Sequence, residues 1–344
     1  MDNIFLVWTK YQARVESLIK DITHNLGDSK IIYRDNPPAN SIKKIILYMI
    51  YFFKDLVFII KNKPKSVFVQ NPPSYSLFAP VLYKLIINKR VKVISDLHNA
   101  MTREPWLNRI GTKFLLSQCD LIIVHNEIVH QGIREKNLFN YINSNKIIVL
   151  EDKTPLITEV ERKVTSSPDK RPIVFFPASF NKDEPISEVI DSAKLVPEFR
   201  IIMTGNYKKL YSNFNLSAKD LPENVEITGW IETKDYLDLV KNCDILLGLT
   251  IFDDIQMSVS NEGLGAEKVM VLSDMEALRL IYQDGAIYTE NSANAIAMNL
   301  RIAFEKRKEL QKKIKEVKLI KEERYIKQLN NVINSILEHS TSLN

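Results

Sequence analysis

Short apolar runs recur along the chain, separated by longer stretches whose apolar positions return every three or four residues. "NIFLVW" (3–8), "KIIY" (30–33), "SVFVQ" (66–70), "VKVIS" (91–95), "DLIIVH" (120–125) and "KIIVL" (146–150) read as buried strands. Residues 12–25, 40–62, 75–88 and 105–118 have helical spacing and length. Such alternation predicts right-handed βαβ units on a parallel sheet. After Leu150 the pattern lapses into "EDKTPLITEVERKVTSSPDKRP", polar and proline-containing, which reads as an interdomain connection. It restarts with "PIVFFP" (172–177), "FRIIMTG" (199–205), "VEITGW" (225–230), "CDILLGL" (243–249), "KVMVLSD" (268–274) and "GAIYT" (285–289). The expected α/β fold is two Rossmann-like, doubly wound domains facing a cleft, residues 1–160 and 161–344, the second ending in C-terminal helices. The charged tail 305–329 reads as a solvated helical face without a function of its own.

A chain of 344 residues is long enough for two such domains. Hydrophobic residues at 45% and charged residues at 26% are ordinary for a globular protein in water. Two cysteines make no disulfide framework, and five histidines without ligand-like spacing argue against structural zinc. Charge does change the picture. Residues 1–150 hold 21 Lys+Arg against 11 Asp+Glu, hence +10, whereas the rest holds 26 against 31, hence −5. A basic front half predicts an anionic partner there. No nucleic-acid motif accompanies it, so a membrane surface or a phosphorylated ligand is expected instead of nucleic acid. The first residues lack a basic n-region and a small-residue cleavage site, which predicts a cytoplasmic protein.

One segment bears on the membrane directly. From Ile45 to Ile60 every residue is apolar or aromatic except Lys54 and Asp55, and lysines 43, 44, 61, 63 and 65 flank the run. It is shorter than the roughly 20 apolar residues of a spanning helix. Two readings stand: an interfacial helix with its lysines among anionic headgroups, or a Rossmann helix with surplus apolar residues.

The carboxyl ends of the strands are where open α/β sheets bind ligands. None carries G-x-G-x-x-G, a Walker loop or a G-x-S-x-G elbow, which argues against a dinucleotide oxidoreductase, a P-loop kinase and an α/β-hydrolase. Three clusters remain. "FVQNPPSYS" (68–76) presents the amides Gln70 and Asn71 at a rigid proline exit, or is simply a turn. "VISDLHNAMTREPW" (93–106) ends a strand in Asp96, His98 and Asn99, where a carboxylate and an imidazole suit a general base, although Asp96 equally suits a turn cap. "LTIFDDIQM" (249–257) leads into "SVSNEGLGAEKVMVLSD" (258–274), a helix start followed by a strand. There Glu262 suits ribose hydroxyls, Gly263 and Gly265 permit close approach of a diphosphate, and Asp254 lies in a loop toward the sugar. The alternative is that the glycines serve only close packing.

On these residues the chain resembles the GT-B glycosyltransferases. "EGLGAEKVMVLSD" (262–274) is similar to the family's E-A-M-A-x-G-K-P-V-V-A-S-D element, with Glu262 at the second acid of its Glu-x7-Glu motif and Asp254 at the first, giving D-x7-E. Glu267 stands for the usual glycine and Val269 for the usual proline. "VFFPASFNKDEP" (174–185) occupies the place of the diphosphate loop, with Ser179 near the usual arginine and Lys182 left to supply the cation. "VQNPPS" (69–74) and "SDLHN" (95–99) are similar to Q-N-P-P and D-W-H-N of the β-mannosyltransferases that extend lipid-linked chitobiose. The resemblance implies a metal-independent glycosyltransferase of surface glycan assembly without a cofactor, peripheral on the inner face of the plasma membrane. It implies a nucleotide sugar on Asp254, Glu262, Gly263, Gly265 and Lys182, and a lipid-linked saccharide acceptor near Gln70, Asn71 and Asn99. Asp96 is then the first candidate base and His98 the second, if the reaction inverts. A nucleotide-sugar 2-epimerase of the same fold and a non-catalytic partner subunit are the alternatives.

Overall fold

The computed structural model describes residues 1–38, 40–157 and 169–341; residues 158–168 of the expected connection thus lie outside the described residues. The chain divides into two compact units, Met1–Lys153 with Arg324–Asn344, and Thr154–Glu323. The fold is that of two Rossmann-like domains.

In the first unit, β1 (Asn3–Val7), β2 (Ser29–Tyr33), β3 (Ser66–Asn71), β4 (Lys92–Leu97), β5 (Leu121–Val124) and β6 (Ile147–Val149) form a parallel sheet in the order β2-β1-β3-β4-β5-β6. Its helices are α1 (Ala13–Leu26), α2 (Ser41–Asn62), α3 (Phe78–Ile86), α4 (Thr112–Ser117) and α5 (Glu127–Glu135). Strand side chains alternate between faces, so Ile4 and Leu6 join one apolar core while Phe5 and Val7 join the other. Both faces are covered, which is why the strands read as unbroken apolar runs. The helix expected over 105–118 is confined to α4. Pro105 offers no N–H, and Gly111 takes φ +84° at the cap of α4, so the stretch before it runs in turns.

In α2 the charges inside the apolar run separate. Asp55 lies on the buried stripe with Tyr51 and Ile59, and Lys54 faces water. Ile45, Ile46, Met49, Ile50, Phe53 and Val57 are exposed along the other side. The helix therefore packs on the sheet and also carries a bare apolar face. No helix among the described residues is long and apolar enough to cross a membrane.

The second unit repeats the architecture. Its strands β7 (Ile173–Phe176), β8 (Arg200–Met203), β9 (Val225–Ile227), β10 (Ile245–Gly248), β11 (Met270–Ser273) and β12 (Ile287–Thr289) run parallel in the order β12-β11-β10-β7-β8-β9. Around them lie α6 (Ile186–Leu195), α7 (Tyr207–Phe214), α8 (Thr233–Asn242), α9 (Ser258–Gly265), α10 (Glu276–Tyr282) and α11 (Ala293–Glu305). The last helix, α12 (Arg307–Thr341), corrects the expected domain division. Leu310, Ile314 and Val317 join the cores of the second unit. Beyond Arg324, however, Tyr325, Leu329, Val332, Ile333 and Ile336 join the core of the first, with Phe5, Val15 and Ile22. That spacing is an apolar helical stripe, so the tail is not a merely solvated face.

Candidate functional site

In the second unit the loops after β7, β10 and β11 are held as one edge. Thr250 N–H donates to Ser273 Oγ at 2.9 Å, Ser273 Oγ donates to Asn291 Oδ1 at 2.7 Å, and Asn291 Nδ2 donates to Thr250 O at 2.8 Å. Asp253 caps α10 by accepting from Glu276 N–H at 2.9 Å. Asp254, next to it, is half-buried in the turn leading to α9. Ile251 N–H donates to Asp183 O at 2.9 Å, which ties the loop of Lys182 to the loop of Asp254. Lys182 is exposed. Its loop folds around Glu184, whose carboxylate accepts from the N–H groups of Ser179 and Asn181 at 3.0 Å. A second cation that sequence reading missed, Lys209 of α7, donates to Asn181 Oδ1 at 2.8 Å. Lys182 of this loop and Lys209 of α7 thus place two ammonium groups near this edge.

Helix α9 begins after Met257 without a side-chain cap, so the positive end of its backbone dipole is open. Glu262 is half-buried on this helix, and the hydroxyl of Tyr236 on α8 donates to its Oε2. Burial raises the Glu262 carboxyl above its ordinary range, against the hydrogen bond from Tyr236. Its Oε1 has no hydrogen-bond partner among the described residues, which leaves an acceptor for a ligand hydroxyl.

The two glycines correct the sequence expectation. A Cβ on Gly263 would come within 2.6 Å of Met270 Sδ and 2.7 Å of Leu246 Cδ2; one on Gly265 would meet Pro155 O at 2.4 Å. Their bare sides face the protein's own interior: Gly263 serves close packing of α9 on β10 and β11, and Gly265 close packing of α9 on Pro155, instead of the diphosphate. Gly263→Ala is expected to destabilise the second unit by about 1–3 kcal/mol in urea unfolding, with nucleotide affinity of the folded protein changed less than about twofold. A large loss of affinity at unchanged stability would return the glycine to the ligand.

In the first unit, neighbouring strand ends assemble a buried polar cluster. Gln70 of β3 lies opposite Asp96 of β4, which lies opposite Ile123 of β5, two residues before His125. Arg14 of α1 reaches in from the side: its Nε stands 3.1 Å and 3.2 Å from the two Asp96 oxygens, its Nη1 2.6 Å from Asp152 and its Nη2 2.8 Å from Leu150 O. His125 Nε2 is 3.4 Å from Asp96 Oδ1, and the His98 and His125 rings lie 4.3 Å apart. The Gln70 amide donates to His98 Nε2 at 3.0 Å. Burial opposes charge on Asp96, but the Arg14 guanidinium and His125 hold its carboxyl well below the usual range. Asp152 is lowered against the same burial, by Arg14 first. His98 is pushed down to about 3, by burial first and then by His125.

Asp96, expected as the leading base, is thus an ion-paired anchor: a carboxylate held this firmly by a guanidinium is a poor proton acceptor. His98, the second candidate, is half-buried and neutral. Asn71 is corrected as well. It is fully buried, with Nδ2 donating to Pro73 O and Ser76 Oγ and Oδ1 accepting from Ser95 Oγ, so it braces the loop and meets no acceptor. Gln70 keeps a buried Oε1 without a partner among the described residues, and half-buried Asn99 opens the following turn. Sequence reading missed Arg14, His125, Asp152 and Tyr236. The end position of His125 in "DLIIVH" was the available signal; Arg14, Asp152 and Tyr236 gave none. Asp96, His98 and His125 bring ligand-type atoms within 4.8 Å of one another, but Arg14 already spans both Asp96 oxygens and the set does not fit a divalent cation.

Residues 157–320 match the family described as Glycosyl transferases group 1. The match supports glycosyl transfer as the reaction class. No curated protein matches the chain. Among solved structures, a glycosyltransferase from Rickettsia africae is 16% identical, with 99% of this chain and 98% of that one covered and a TM-score of 0.65. Anabaena Alr3699/HepE in complex with UDP and glucose is 12% identical over 100% of both chains, with a TM-score of 0.72. The UDP-GlcNAc 2-epimerase from Neisseria meningitidis bound to UDP-GlcNAc is 15% identical, covering 98% of this chain and 100% of its own, with a TM-score of 0.62. At such identities the likeness shows the fold, which is GT-B; transferases and epimerases share it.

Proposed function

We propose that the protein transfers a sugar from a nucleotide-sugar donor, bound by the second unit, to a lipid-linked saccharide held by the first. The family match carries this reading, because residues 157–320 nearly coincide with the unit Thr154–Glu323 that holds Glu262 and the open end of α9. In the D-x7-E reading, Glu262 takes the ribose hydroxyls and Asp254 stands toward the sugar. The first-turn amides of α9, Lys182 and Lys209 offset the diphosphate charge as it leaves, so the scheme requires no metal ion. On the acceptor side, Gln70 and His98 form a hydrogen-bonded pair that orients the acceptor hydroxyl; with its Nε2 lone pair taken and its pKa pushed down to about 3, His98 is assigned no base role. The structures of HepE with UDP and glucose and of the Neisseria epimerase with UDP-GlcNAc make uridine sugars the first donors to assay.

A turnover assay across common nucleotide sugars tests the reading. Transfer or slow hydrolysis of one donor is the expected result. A free epimerised nucleotide sugar as the product favours the epimerase, and neither turnover nor nucleotide binding overturns an enzymatic role.

The acceptor side rests on the bare face of α2 beside its lysines, which suits an anionic membrane surface. Ile46→Glu and Phe53→Glu each remove about 1.5–3 kcal/mol of apolar burial and are expected to weaken partitioning onto phosphatidylglycerol vesicles roughly tenfold or more. Unchanged sedimentation with the vesicles would remove the membrane from the scheme.

A further inference from the structure

We propose that an apolar pocket at the carboxyl edge of the first sheet holds the hydrocarbon chain of the phosphate-linked acceptor lipid, an assignment that rests on the transferase reading above. The pocket encloses about 450 Å³, within the range of about 300–1,000 Å³ for small-molecule sites. Trp8, Tyr48, Phe52, Tyr75 and Phe78 wall it, and Ile45 and Met49 of α2 line its exposed side. The rings stand as a series: Trp8 to Tyr48 at 5.0 Å, Tyr48 to Tyr75 at 6.2 Å, Tyr75 to Phe78 at 5.8 Å between centroids.

Position ties the pocket to the acceptor cluster. Leu6 pairs with Val69, so Trp8 leaves β1 level with Asn71, where β3 ends. Gln70 and His98 occupy the same carboxyl edge. Trp8 is held by its Nε1–H, which donates to Asp55 Oδ2 at 2.8 Å, while Arg34 pairs with the other oxygen of that carboxylate. The indole's polar group is thereby satisfied inside the protein, and its ring is free to serve as an apolar wall.

Charge identifies the occupant. Lys43 and Lys44 stand in the first turn of α2 beside the pocket, and the one acid of that helix, Asp55, is buried. At the rim Lys44 Nζ lies 5.8 Å from the centre of the Tyr48 ring and 5.9 Å from that of Trp106, with the Arg109 guanidinium 5.6 Å from Trp106. A lipid phosphate meets both demands at once: an uncharged chain for the aromatic walls and an anion for the cationic rim.

Trp8 is one of three tryptophans, so Trp106→Phe with Trp230→Phe leaves it as the sole reporter. In that background, farnesyl diphosphate is expected to change Trp8 emission saturably, and inorganic pyrophosphate at equal concentration to leave it unchanged. Adding Met49→Glu puts a charge on the pocket wall and is expected to weaken the response at least about tenfold, whereas Ile46→Glu, on the same helix but outside the pocket, changes it less than about twofold. Both positions are about half exposed, at 51% and 55%, so both variants are expected to fold, which thermal unfolding checks. No chain-dependent response, equal loss in the two variants, or an equal response to short-chain phosphatidylglycerol overturns the assignment. With donor turnover and vesicle binding intact, such a result removes the pocket alone; loss of donor turnover in the unmodified protein removes the transferase reading instead.

Discussion

Replacing Arg14 with alanine is expected to destabilise the first unit by about 3–5 kcal/mol near neutral pH, because it strands the buried carboxylate of Asp96 and the half-buried one of Asp152 without their cation. Asp96 and Asp152 both depend on that guanidinium, and Leu150 O loses its donor with it. The sign of the pH dependence separates this from ordinary loss of packing. In the native protein both carboxyls are lowered, so their contribution is full above the ordinary aspartate value of about 3.9 and fades as pH falls below it. In the variant, burial is opposed only by the neighbouring histidines, chiefly His125, and both carboxyls move up. The variant then binds protons on folding and gains stability as pH drops from 7 toward 5. Urea unfolding of both proteins at about pH 7.5 and about pH 5 is expected to show a smaller gap at the lower pH. A gap that is constant, or that widens on acidification, would show that Arg14 acts through packing alone. Arg14→Lys keeps the charge but cannot span Asp96, Asp152 and Leu150 together, so an intermediate loss is expected.

Glu262→Ala is expected to lower kcat/KM for the donor by roughly 10²–10⁴-fold, since each hydrogen bond to a charged group contributes about 1.5–3 kcal/mol and the ribose offers two. The carboxylate is placed for this by α9 and steadied by Tyr236, with Oε1 open. Glu262→Gln keeps the shape and loses the charge, so its loss is expected to fall between wild type and alanine. Tyr236→Phe removes only the supporting bond and is expected to have the smallest effect. Steady-state kinetics with the active donor, alongside nucleotide-induced thermal shifts, check the order. Equal kinetics for Glu262→Ala and wild type would detach Glu262 from the donor.

Much of the architecture was legible because burial on both faces of a parallel strand demands continuous apolar runs. All twelve strands fall within the twelve runs read from the pattern, give or take two residues. The candidate ligand edges were legible for a related reason: polar residues that directly follow such runs sit at carboxyl strand ends. Roles at those edges were not. Asp96 and Asn71 look alike in sequence, as polar residues closing a strand, yet one is neutralised by a helix residue 82 positions away and the other is spent on its own loop. The glycines near Glu262 suggested an open approach to phosphate, but whether a missing Cβ faces a ligand or Met270 depends on how α9 sits on the sheet.

By itself, then, the sequence determined the succession of βα units, the two-domain plan, the basic front half and which polar residues close the strands at their carboxyl ends. These follow from local periodicity and composition, which need no knowledge of distant partners. The tertiary structure alone decided that the end of α12 returns to the first unit, that Asp55 turns inward while the rest of α2 stays bare, and that Arg14 joins Asp96 to Asp152. Each of these depends on side chains far apart in the chain meeting in a place where water is excluded, and there pairing, not residue type, sets charge and role.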